Sequence, residues 1–98
     1  MNYTIVLTQK AKNDLTKAKL HYQEILPNLA AHYIREIRII TGYLKSHPFA
    51  FQTRNNPPVR CVPMRKFPFM IHYIPIESDS RIIILAILHT NEDPEKWP

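Results

Sequence analysis

Side chains able to do chemistry crowd the second half of the sequence: Arg54, Arg60, Arg65, Lys66, Phe67, Phe69, His72, Tyr73, Arg81 and His89. Along an extended chain, alternation puts Arg65, Phe67, Phe69, Ile71 and Tyr73 on one side, and Lys66, Met70, His72 and Ile74 on the other. Arginines and aromatic rings sharing an open sheet face can stack bases and neutralise phosphates. The same rings can instead form the core beneath packed helices, and Phe67, Phe69 and Tyr73 are read first in that way. Arg60 and Arg65, near strand starts, are either phosphate contacts or solvated flanks. His72 has apolar neighbours and is expected to be a hydrogen-bonded structural residue. His89 ends the apolar run "RIIILAILH", where a titratable ring is held in place yet reachable, as a general acid or base requires.

Composition gives little support to other chemistries. His21, His32, His47, His72 and His89 are scattered, no two at ligand spacing, and there is one cysteine, Cys61, so no metal set is expected. The single glycine, Gly42, rules out the usual phosphate-cradling loops, and no other cofactor motif is present. Nothing around Ser46, Ser78 or Cys61 suggests a nucleophile. Cys61 is expected to fill space in a strand, and the lack of a cysteine pair favours a reducing compartment. Neither a signal peptide nor a membrane-length apolar run is visible, so a cytoplasmic location is expected. The net charge is +5, but Glu92, Asp93 and Glu95 lie in the last seven residues beside one base, Lys96; residues 1–91 carry 12 bases against 5 acids. A basic body this small points to an anionic partner: RNA, DNA or an acidic protein segment.

The elements that must position these residues fit one domain over residues 1–98, in a chain 45% hydrophobic. "YTIVL", Tyr3 to Leu7, reads as a strand, after which Thr8 can cap a helix. Ala11, Leu15, Ala18, Tyr22, Ile25 and Leu29 follow at steps of four and three, one helical face. Pro27-Asn28 interrupts, with Asn28 as the expected cap of a second helix carrying Ala30, Tyr33, Ile37, Ile40 and Leu44. So short a link predicts an antiparallel helical hairpin. Gly42 lies inside the second helix, where it costs stability and would permit close backbone packing. Pro48 ends that helix, and Ser46 to Pro58 reads as a loop. "VRCVPM", interrupted by proline, predicts an edge strand. "FPFMIHYIPI" and "RIIILAILH" predict two longer strands joined by the turn "ESDS". The last is apolar on both faces from Ile82 to Leu88, as suits a central strand covered on both sides, or one covered on one side and facing a binding groove on the other. The result is an α+β fold, β-α-α-β-β-β, with the hairpin packed on a small, mostly antiparallel sheet.

Four stretches resemble the RelE/ParE superfamily of toxins from bacterial type II toxin–antitoxin systems, in the branch described as plasmid stabilisation proteins. "AKNDLTKAKLHY" is similar to the family's first helix and "LAAHYIREI" to its second. "VRCVPMRKFPFMIHY" resembles its arginine followed by a Phe-Pro-aromatic strand ending in tyrosine, and "ILAILHTNEDPEKW" its closing strand, His, Asp-Pro and Trp. The resemblance implies a helical hairpin against an antiparallel sheet, and a growth-inhibiting toxin neutralised by a small antitoxin that binds the hairpin and the sheet edge. RelE-like members cleave mRNA on the ribosome; ParE-like members inhibit DNA gyrase and cleave no RNA.

Metal-free RNA cleavage needs a base for the ribose 2′-OH, cations for the phosphorane and an acid for the leaving oxygen. The resemblance implies Arg60 as the phosphate-stabilising cation, His89 as acid or base and Tyr73 as an orienting group. It further implies Arg65 and Lys66 as holders of the RNA backbone; Arg54 and Arg81, from the basic cluster, are expected as further nucleic-acid contacts. One departure stands out. Between the His and the Asp-Pro, where many relatives carry a base, this chain has Glu92, which would repel a phosphate. Trp97 is expected to pack against the body.

Overall fold

The computed structural model describes residues 2–54 and 56–98. Its elements are β1 (Thr4–Leu7), α1 (Gln9–Ile25), α2 (Pro27–Ser46), β2 (Arg60–Pro63), β3 (Phe69–Ile76) and β4 (Arg81–His89), with short 3-10 turns at Glu77–Asp79 and Pro94–Lys96. The strand order is β1-β4-β3-β2. β1 runs parallel to β4, and the β4–β3 and β3–β2 pairs are antiparallel. The doubly apolar β4 is therefore central and the proline-bearing β2 is an edge, as expected.

Thr8 caps α1 by accepting from the Ala11 amide, 3.1 Å. The hairpin differs from expectation at its turn. Leu26 is at once the last cap of α1 and the first of α2, and Asn28 lies inside α2 rather than capping it. Pro27 explains this: its fixed φ suits the first helical position, and the amide it lacks has no helical acceptor there. Leu29 accordingly belongs to α2, and Ile25 is 60% exposed rather than on the buried face. Gly42 packs against nothing, since an added Cβ would meet no atom within 4 Å, so the expected close approach is absent.

The core lies between the hairpin and one sheet face: Ala11, Ala18, Tyr33, Ile37 and Leu44 from the helices meet Val62, Ile71, Tyr73, Ile82, Ile84 and Ile87. Phe67 and Phe69 enter it through edge-to-face contacts with Tyr22 and Tyr33, centroids 4.9–6.3 Å apart. Those rings are core, not a stacking surface. The opposite sheet face buries Cys61, Met70, His72, Ala86 and Leu88, and the Trp97 ring sits edge-on to His72 at 5.1 Å. In place of a glycine, Ser80 takes the left-handed turn before β4, φ 52°.

One irregularity decides where the last strand points. His72 pairs with Ala86 but Tyr73 with Ile84, so Leu85 is a bulge. Before it, Ile82 and Ile84 face the helices; after it, the parity reverses, and Ile87 and His89 do. The bulge also lies where β1 ends, since β1 pairs only as far as Ile84. Helix α1 takes over from there. Thr8 Oγ1 donates to the Leu85 carbonyl, 3.0 Å, and the Ile87 amide donates to Asp14 Oδ2, 3.1 Å.

Candidate functional site

The sequence-predicted residues fall at three separate places. At the first, a corner of the sheet, Arg60 pairs across from Tyr73. The Arg60 guanidinium donates to the carbonyls of Phe51, 2.6 Å, and Phe49, 3.5 Å, and lies 5.0 Å from the Phe49 ring centre. Tyr73 is fully buried and its hydroxyl donates to the Pro48 carbonyl, 3.0 Å. Burial pushes the phenol upward, against a smaller lowering by Arg60. Both groups thus hold the segment after α2, which has no ladder of its own to satisfy its carbonyls.

Beside this pair, on the other face, Cys61 pairs with His72. The sulfur lies 3.2 Å from His72 Nδ1, burial raises the thiol, and burial lowers the imidazole to about 4. Both stay neutral near pH 7, as the expected structural reading requires. His72 Nε2 and Trp97 Nε1 are buried without a hydrogen-bond partner.

The second place is a groove of about 300 Å³ between α1 and the end of β4, lined by residues that include Asp14, Lys17, His21, Phe69, His89 and Glu92. His89 sits edge-on to Phe69 at 5.4 Å, and its Nδ1 accepts from the Asn91 amide, 3.0 Å. That bond leaves Nε2 as the ring nitrogen without a hydrogen-bond partner among the described residues. Two acids flank it. Phe69 pairs with His89, and Tyr73 is four positions further along β3, so about 13 Å of strand backbone lies between the level of His89 and that of the Arg60–Tyr73 pair. Asp14, Ala18 and His21 escaped the sequence reading of the site, and Lys17 reads there first as part of a solvated helix face. Their spacing of three, four and seven marks one helical stripe, a signal that was present.

The third place is a concavity of about 540 Å³ on α2 and the loop after β2, lined by His32, Arg35, Glu36, Ile39, Arg65 and Lys66. The Glu36 carboxylate accepts from both the Arg65 and Lys66 amides, the latter at 3.1 Å. No sequence pattern pointed to Glu36, because its partners are backbone groups about thirty residues away. The remaining predicted cations lie elsewhere. Arg81, at the far end of β4 from His89, pairs with Asp79 at 2.9 Å, and Arg54 is in the loop before β2. No group of His, Cys, Asp and Glu able to hold a metal occurs among the described residues.

The model for the ParE toxin of type II toxin–antitoxin systems matches residues 5–94, nearly the whole chain. The chain belongs to the ParE toxin family. It is a type II toxin by that membership. No curated protein sequence matches it. Among solved structures, this ParE-family chain is similar to one from a chromosomal ParDE system of P. aeruginosa, with TM-score 0.75 and 23% identity over 89% of this chain and 95% of that one. It is also similar to one from the RelBE2 toxin–antitoxin complex of Mycobacterium tuberculosis, TM-score 0.63 and 18% identity over 91% and 99%. The isolated E. coli RelE toxin is a further likeness, TM-score 0.54 and 14% identity over 93% and 87%. At these identities the structures speak for the fold, in which the ParE-family chain is α+β as the sequence implied.

Proposed function

We propose that this toxin arrests growth by binding a protein target of the DNA gyrase class rather than by cutting mRNA. The separation of Arg60 and Tyr73 from His89 carries this reading. Cleavage needs cation, base and acid around one phosphate. Here the cation and the phenol are bonded to loop carbonyls, and the histidine lies four residues, or about 13 Å of strand backbone, further along the sheet, in a groove it shares with Asp14 and Glu92. The partner that neutralises it is a cognate antitoxin, in keeping with its family and with the ParDE and RelBE complexes it resembles. The helical hairpin and the sheet edge are the surfaces proposed for that contact. Both proteins would meet in the cytoplasm, and no helix among the described residues is long and apolar enough to cross a membrane.

The test is expression under tight control, with and without the small open reading frame beside the gene, following growth, mRNA integrity and the DNA-damage response. Arrest with intact mRNA and an induced damage response is expected; purified protein should block gyrase supercoiling. A second reading, mRNA cleavage, draws on one observation: His89 and His21 line the same groove as Lys17. Under that reading mRNA is cut, and His89→Ala and Arg60→Ala each slow the cutting.

A further inference from the structure

The concavity on α2 contains a feature that neither reading uses. The consecutive Arg65 and Lys66 amides both point at one carboxylate, that of Glu36. Successive backbone N–H groups converging in this way form a concave anion site. Around it stand His32, Arg35 and the side chains of Arg65 and Lys66, all exposed, and Glu36 is the sole acid among the residues lining the concavity. None of Arg35, Arg65 and Lys66 makes an ion pair among the described residues. One internal carboxylate therefore faces four basic groups, and the surplus charge is open to solvent. In the same hollow Ile39 is 65% exposed, and the lining includes no Phe, Tyr or Trp, His32 being its one aromatic ring.

We propose that the Arg65–Lys66 amide pair is a docking site for an acidic partner segment, whose carboxylate replaces Glu36 while an apolar neighbour packs on Ile39. A carboxylate fits because one already occupies the site. The exposed Ile39 favours a peptide, which can pack an apolar side chain on it, over a nucleic acid, for whose successive bases His32 is the one ring present. Glu36 keeps the amides bonded when the partner is absent and lowers the local positive field, so it sets how tightly the segment binds. The inference is independent of whether the toxin acts on gyrase or on mRNA.

The probe is a dye-labelled, end-blocked Glu-Leu-Glu-Glu-Leu-Glu peptide, read by anisotropy against the full chain. Glu36→Gln, which removes the competing charge, should tighten binding by about five- to tenfold. Glu24→Gln removes the same charge from an exposed position on α1 and should change binding by less than about twofold. In the unmodified chain, the Arg65 and Lys66 amide resonances should move on peptide addition, a readout that stands even if Glu36→Gln loosens the loop. Equal tightening by both variants would reduce the effect to net charge and overturn the proposal. So would still Arg65 and Lys66 resonances, or a Glu36→Gln protein that prefers an oligo-dT strand to the peptide.

Discussion

At Tyr73, midway along β3, a guanidinium and a phenol turn inward onto the carbonyls of Pro48, Phe49 and Phe51; at the Phe69 end, a histidine and a lysine face a groove open to solvent. Similar residue types serve opposite purposes. The difference follows from what each place must cover. The corner receives the long connection from α2, whose carbonyls need donors. The groove lies beyond the end of β1, where Thr8 and Asp14 already satisfy the backbone of β4 and leave the nearby histidine available. Polar side chains at the corner are therefore structural, and those in the groove are accessible for function.

The largest effect expected from this contrast is in acid. Just inside the corner, His72 is depressed from 6.5 to about 4 by burial. Between those values the unfolded chain binds more protons than the folded one, so stability falls as pH drops from 6.5 toward 4 and levels off below. The loss should approach about 3 kcal/mol, measured by urea unfolding across that range, and His72→Phe should flatten it. A His72→Phe protein with an unchanged slope would place the acid sensitivity elsewhere.

Arg60→Ala comes next. It removes two carbonyl bonds and the Phe49 contact, and should cost about 2–3 kcal/mol, seen as a lower urea midpoint. Toxicity should decline only in proportion to the folded fraction. Retained stability with lost toxicity would break the comparison, because it would make Arg60 functional. Tyr73→Phe should cost about 1–2 kcal/mol by leaving the Pro48 carbonyl without its donor, again by urea midpoint. The smallest change in stability belongs to the groove: His89→Ala should stay within about 0.5 kcal/mol of the parent. Growth arrest is where that variant should register. If it melts early and kills as before, the groove is structural.

Much of the architecture was legible in the order of residues. The three-four recurrence of Ala11, Leu15, Ala18 and Tyr22, and the apolar run Ile82–Leu88, placed a hairpin on a sheet with β4 inside. These signals are readable because burial imposes a period on each element. The turn at Leu26 was less so, since Pro27 and Asn28 both suit a helix start and the choice rests on one backbone angle. The site was legible only in its parts. Arg60, Tyr73 and His89 were all picked out, yet nothing in their spacing separates a guanidinium bonded to loop carbonyls from one awaiting a phosphate.

By itself, then, the sequence determined the fold class, the family and the basic character of the surface, because periodicity, local motifs and charge are additive along the chain. Tertiary structure alone decided the use of each polar group. One unpaired residue, Leu85, reverses the parity of β4 and turns His89 toward α1, while a loop with no period of its own claims Arg60 and Tyr73. Hydrogen bonds of that kind join residues far apart in sequence, and their partners are backbone atoms that every residue carries. No pattern of side-chain types can announce them.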